Sequence, residues 1–181
     1  MNARKIVICA VLFLTASALL LHAAAENTGK PKKELVRIGV FDSRGVAIAY
    51  AHSSRFIDEL KSKKAEMEKA KAAGDKEKMQ ALEQWGQQGQ EKLHKQGFGT
   101  ASVSEYLKYI EKDIPAIARQ AGVDVIVSKW DITYQDEAVK CVDVTDLVIK
   151  PFNPDEQVLK SIEALKKTKP LSEKELENIR D

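Results

Sequence analysis

KSKKAEMEKAKAAGDKEKMQALEQWGQQGQEKLHKQ, residues 61–96, decides how this chain must fold. The run is too polar to be an interior, yet it is rich in residues that favour helix. Its sparse apolar residues, Met67, Met79, Leu82, Trp85 and Leu93, recur at helical spacing. In the middle, Ala73-Gly74-Asp75 is a stop and a restart: Gly74 supplies a left-handed cap and Asp75 an N-cap for the next helix. Working outward, a short apolar strand precedes the run at Val36–Phe41 and another follows it at Val123–Ser128. If those two strands meet, everything between them, from about Arg44 to Gln120, is a helical arm.

The first limb starts apolar, with Val46, Ile48, Ala49 and Tyr50, and continues through Phe56, Ile57, Leu60 and Met67. Asp42 and Ser43 can cap it, and a continuous helix over residues 44–72 would span about 43 Å. Gly86 and Gly89 soften the second limb, and Gly97-Phe98-Gly99-Thr100 breaks it. A third helix opens at the S-x-x-E capping box Ser102–Glu105. Its Val103, Leu107, Ile110, Ile114, Ile117 and Ala121 follow a coiled-coil seam, with a kink or a new first turn expected at Pro115 behind Asp113. Gly122 ends it.

Val36, Ile38 and Val40 alternate with Arg37 and Gly39, which predicts a strand with one buried face, and Val123, Val125 and Val127 form another with Ile126 on its opposite face. Ile132 and Tyr134 predict a further strand, joined to residues 139–142 by a hairpin turn at Gln135-Asp136-Glu137. Asp143-Val144-Thr145-Asp146 can cap a short helix ending before Pro151. Asn153 and Pro154 predict the start of a tail helix carrying Val158, Leu159, Ile162 and Leu165, and Ser172 with Glu175 repeats a capping box, with Leu171 stapled onto Leu176. The order of elements predicts an α+β fold, with a small β-sheet body and a long protruding helical hairpin. So small a sheet has open edges, which predicts a homo-oligomer assembled through Val36, Ile38, Val40, Val125, Val127, Ile132 and Val139.

At the N-terminus, Arg4 and Lys5 precede an apolar run from Ile6 to Leu21, and His22-Ala23-Ala24-Ala25 follows. These are the three parts of a secretory signal, with cleavage expected after Ala25; the alternative is an uncleaved anchor. Of 29 basic residues, Arg4 and Lys5 would leave with that segment, so 27 face 27 acidic ones. A net charge near zero argues against nucleic acid as a partner. Residues 26–35 are expected to be a disordered leader. Cys9 leaves with the signal, and Cys141 is then either a buried inert thiol or the source of an intermolecular disulfide.

Catalytic chemistry finds little purchase here. His52 and His94 have no Cys or carboxylate at ligand spacing, so no metal or cofactor is expected. His52-Ser53-Ser54 cannot form a triad from adjacent helix positions, and Gly39 and Gly45 lack the Lys-Ser/Thr ending of a phosphate loop. The candidate binding residues are instead the apolar ones on polar limbs: Met67, Met79, Leu82, Trp85, Leu93 and Phe98. They can form a seam between the limbs, or adaptable contacts for unfolded chains, a use that suits the flexible Met side chain.

A leading signal, the strand Val36-Arg37-Ile38-Gly39-Val40-Phe41-Asp42, a polar helical hairpin, then Gly122-Val123-Asp124-Val125-Ile126-Val127 and a helix opening at Asp143-Val144-Thr145 together resemble the Skp/OmpH family of periplasmic chaperones. The resemblance covers roughly residues 36–149. It departs from the family in the uneven division at Gly74, the GFGT break with Pro115, and the near-zero charge. The resemblance implies a body over residues 36–43 and 122–150, an arm over 44–121, and a homotrimer with its arms around a cavity. It leaves 151–181 as an additional helical tail. It further implies a non-enzymatic, ATP-independent periplasmic holdase whose partners are unfolded exported or outer-membrane proteins. The competing expectation is a non-catalytic envelope structural or adaptor protein that binds one folded partner through the third helix and the tail.

Overall fold

Strand β1, Ile38–Phe41, lies between β2, Val125–Ser128, and β3, Cys141–Asp143, and both neighbours run parallel to it. The structure, a computed structural model, describes residues 36–171 and Glu175. The expected signal, leader and second tail box with its Leu176 staple lie outside the described residues. Together the elements make a mixed α+β fold in which the two ribbons flanking the polar run do pair, Ile38 opposite Val125 and Val40 opposite Val127.

The sheet has two unlike faces. Gly39 and Phe41 are buried, and Ile126 and Val142 pack beside them onto the core. Gly39 is required by close approach: a Cβ there would sit 3.0 Å from Val123 Cγ2 and 3.2 Å from Val144 Cγ1. The face expected from the alternation to be buried carries Ile38, Val40, Val125, Val127 and Cys141 in register, and each stays partly or fully exposed, because the helices cover the Gly39 and Phe41 side instead.

Helix α1, Ser43–Ala51, is the centre of the core. Asp42 caps it, accepting from the Arg44 backbone N–H at 3.1 Å. Seven of its nine residues are buried, from Ser43 through Ala47 and then Ala49 and Tyr50. A helix apolar on all sides belongs inside. It packs against the helices Lys76–Gly97, Thr145–Ile149 and Glu156–Lys166. The single 44–72 helix is therefore a corrected expectation. The chain breaks at His52-Ser53, where Ser53 Oγ donates to the Tyr50 carbonyl at 2.6 Å and caps α2, Ser54–Ala73. A hydroxyl that binds backbone competes with helix continuation.

Helix α3, Lys76–Gly97, follows a two-residue link. Gly74 is left-handed at φ 66°, and Asp75 accepts from the Lys78 N–H at 3.0 Å, as the sequence predicts. Gly86 and Gly89 do not interrupt α3. α2 and α3 pack on one another, and Lys63 Nζ lies 5.9 Å from the Trp85 ring centre. At 20 and 22 residues, each limb is about 30 Å long.

Residues 103–121 form neither one helix nor a coiled-coil seam. They comprise α4, Ser104–Leu107, a 3-10 turn over Lys108–Ile110, and α5, Ile114–Ala121, with Pro115 in the first turn of α5. Val103, Tyr106, Ile110 and Ile117 join the same core as α1. The Ser102–Glu105 box does not form, because Glu105 is drawn away to Lys92 and Gln96. The exposed helix pair is thus Ser54–Gly97, narrower than the expected arm of 44–121.

The expected hairpin around Gln135 is likewise replaced. Residues 132–134 are unpaired loop, and β3 joins β1 in parallel rather than folding back on residues 132–134. Alternation in VKCVDV marks a strand but carries no information about its direction. Helix α6, Thr145–Ile149, begins where Thr145 N–H and Oγ1 both donate to Asp143 Oδ1, at 2.9 and 2.6 Å. Asn153 does not cap the tail; it is left-handed at φ 54°, and Asp155 caps α7, Glu156–Lys166. Val158 and Ile162 of α7 are buried, and α7 packs on α1, so this part of the tail belongs to the body.

Candidate functional site

The helix pair presents polar surface around most of its circumference. Half-buried positions form one stripe on each helix: Phe56, Leu60, Lys63 and Met67 on α2, then Met79, Leu82, Trp85 and Leu93 on α3. Met67, Met79, Leu82 and Trp85 therefore sit along the mutual side of the pair and remain partly open to solvent. Leu93 also packs against the core. Phe98 lies at the C-cap of α3, half-buried, with its ring centre 6.2 Å from that of His94.

The base of the pair is fixed by polar and aromatic contacts. Gln96 is fully buried; its Nε2 donates to the Ser102 carbonyl at 2.8 Å and to Glu105 Oε1 at 2.9 Å, and its Oε1 accepts from the Tyr106 hydroxyl. Burial first, and then the nearby Glu105 carboxylate, push Tyr106 up to about 12. Tyr106 stacks on Tyr50 at 3.9 Å, and Tyr109 stacks on Tyr50 at 5.6 Å under the Arg55 guanidinium.

The candidate assembly residues do not all converge. Ile38, Val40, Val125 and Val127 share the uncovered sheet face, and Val36, 60% exposed, precedes them on the same strand path. Cys141 is on this face, half-buried, opposite Ile38. Ile132 is half-buried in the loop after β2, and Val139 is exposed just before β3. Tyr134, at 79%, is the most exposed of the large apolar and aromatic side chains described.

Sequence reasoning missed the polar centre at the C-terminal ends of the strands. Asp42 is fully buried, and its two oxygens receive five hydrogen bonds or ion pairs. Arg44 Nε at 3.0 Å and Trp130 Nε1 at 2.9 Å reach Oδ1, and Arg44 Nη2 at 2.8 Å and Lys129 Nζ at 2.7 Å reach Oδ2. Its backbone N–H donates to Thr145 Oγ1 at 3.0 Å. Burial alone would raise the carboxyl, but the hydrogen bonds from Arg44, Lys129 and Trp130 prevail and hold it at about 2. Arg44 continues outward, with Nη2 donating to the carbonyls of Leu165 at 3.1 Å and Thr168 at 2.9 Å. The signal was present as an Asp-x-Arg following a strand and a Lys-Trp following its neighbour, but Arg and Lys are surface residues by default and nothing local marks them as buried.

An apolar groove of about 560 Å³ is lined by Phe41, Leu107, Ile114, Ile126 and Val148, together with Lys108 and Glu111. Among the described residues, no group of three or more His, Cys, Asp or Glu could hold a metal ion. None of the described helices is long and apolar enough to cross a membrane. No family model, curated protein or solved structure matches this chain.

Proposed function

We propose that this protein is a non-catalytic, ATP-independent holdase of the periplasm, related in design to the Skp/OmpH chaperones, that keeps unfolded exported or outer-membrane proteins apart. The observation that carries the reading is the α2–α3 pair. Two limbs about 30 Å long expose charge almost everywhere and leave Met67, Met79, Leu82 and Trp85 only half-covered. Such a surface suits many weak, exchangeable contacts better than one tight one. Lysines 61, 63, 64, 69 and 71 would attract acidic segments, moderated by Glu66 and Glu68. The uncovered sheet face gives the assembly its contact surface, and a trimer would place several limbs around one client.

The decisive assay is aggregation of an unfolded outer-membrane barrel protein diluted from denaturant. Suppression at a few-fold molar excess is the expected result, and unchanged light scattering would defeat the reading. Trp85 offers a direct signal, because client contact should shift its emission. Trp130 contributes a steady background, since its indole is held by Asp42 between Arg44 and Lys129. In the same preparation Val40→Glu should convert the oligomer to monomer in sedimentation, by placing a charge on the open sheet face.

The groove beside Phe41 favours the second reading, an envelope adaptor with one folded partner. It is one discrete apolar crevice, whereas a holdase needs none. The third helix and the tail, expected to serve an adaptor, instead bury Tyr106, Ile110, Ile117, Val158 and Ile162 in the core. Pull-down from envelope extract separates the two: many barrel proteins mark the holdase, one stoichiometric partner lost with Leu107→Asp marks the adaptor.

A further inference from the structure

Three segments far apart in sequence meet at one point. Arg44 lies at the start of α1, Gly99 lies just past the C-cap of α3, and Thr168–Pro170 follows α7. Gly99 is left-handed at φ 85°, and a Cβ there would lie 3.0 Å from Pro170 Cβ and 3.2 Å from Arg44 Cδ. The same arginine that neutralises Asp42 donates to the Leu165 and Thr168 carbonyls. The strap after α7 is therefore fastened from below by a buried guanidinium and closes directly over the joint where α3 enters the body. The last turn of that limb is tied locally by the N–H groups of Phe98, Gly99 and Thr100, which donate to the carbonyls of His94, Gln96 and Lys95 at 2.9, 3.1 and 2.9 Å.

We propose that the strap Thr168–Pro170 is a clasp on the joint at Gly99, and that it sets how freely the α2–α3 pair swings relative to the sheet. Other ties at the joint also bind the pair to the body: α3 packs on α1, Leu93 reaches the core, and Gln96 reaches Ser102, Glu105 and Tyr106. The strap adds a link from the joint to α7, at the far end of the described residues. It has a firm anchor, because Arg44 is held on the carboxylate of Asp42, and a light closure, because its grip on Gly99 is one proline ring. A fastening of that kind opens by losing the ring contact without dismantling the core beneath it. Whatever engages the chain around residues 168–171 would thereby change the reach of the limbs. This device stands on the joint's geometry and does not need the limbs to bind unfolded proteins.

Hydrogen exchange and spin-label distances on the full chain test it, with Cys141→Ser removing the thiol on the sheet face. Labels at Lys76→Cys, at the tip of the pair, and at Lys160→Cys, exposed on α7, report the swing. In Pro170→Gly the amides of Phe98, Gly99 and Thr100 should exchange about tenfold faster and the tip distance distribution should broaden, while Gly39 and Phe41 in β1 keep their protection. Gly99→Ala should do the same by forcing the ring away, and if that strained variant fails to fold, Pro170→Gly decides. Faster exchange at 98–100 with an unchanged tip distribution would overturn the proposal, since the strap would then be only a local cover. So would no change in either measurement, or loss of β1 protection in Pro170→Gly, which would make the strap a support of the whole body.

Discussion

Helices α1 and α2 are neighbours in sequence and opposites in what holds them. α1 is nine residues long, almost wholly buried, and packs against α3, α6 and α7 as well as α2 and α4. Isolated, so short a helix would be unstable, so its order is a consequence of packing. α2 is twenty residues long and buries only Ala70. Its order comes from its cap at Ser53, its Gly74 stop, the i,i+3 pairs Lys61–Asp58, Lys63–Glu66 and Lys71–Glu68, and one stripe shared with α3. Each surface pair of this kind adds only a few tenths of a kcal/mol. One helix is therefore global in its stability and the other local, and a change in either should be felt differently.

The largest contrast is expected at Arg44. Arg44→Ala would leave the Asp42 carboxylate buried with Lys129, Trp130 and the backbone N–H of residue 44, and should cost about 3–5 kcal/mol in denaturant unfolding. A cost as small as that of a surface arginine would mean the pair is not closed off from water. Acid reads the same centre from the other side. Asp42 stands at about 2 in the folded protein against an ordinary 3.8, a depressed value, so its contribution is complete above 3.8 and is lost as pH falls to about 2. That loss amounts to about 2 kcal/mol, and Arg44→Ala should flatten stability over this pH window.

Smaller effects belong to the limbs. Ser53→Ala removes the hydroxyl that ends α1 and caps α2, and should cost about 1 kcal/mol. Thermal unfolding followed by circular dichroism would show it. Gly86→Ala should go the opposite way. The position is an exposed helix interior with open space where a Cβ would be, so up to about 1 kcal/mol of stabilisation is expected, visible as slower amide exchange along α3. If Gly86→Ala instead destabilised, α3 would not be the independent, locally held limb that α1 is not.

The same division explains what the sequence revealed. Signals that act within a few residues were legible: the caps at Asp42 and Asp75, the left-handed stops at Gly74 and Gly122, and the alternation in β1 and β2. Signals that depend on a distant partner were not. Ser53 lies within a helically spaced apolar stripe that runs from Tyr50 to Phe56 and Leu60, and its hydroxyl ends α1 at the turn where Tyr50 stacks with Tyr106 and Tyr109. The heptad spacing from Val103 to Ala121 was real, but it serves a core with breaks in it, so period and continuity parted company. The apolar residues on the limbs were visible as candidates because isolated apolar side chains stand out against charge. Asp42 and Arg44 were overlooked because a buried ion pair looks like any other two charged residues until the strands behind it are placed.

One detail of the tip carries its own consequence. Gly74 turns the chain in two residues, and a Cβ there would have nothing within 4 Å. The bend is thus answerable to its own two helices alone. Equal numbers of turns could be inserted into or deleted from both limbs without disturbing the sheet, so the span of this protein is an adjustable dimension, free to be matched to the size of what it meets.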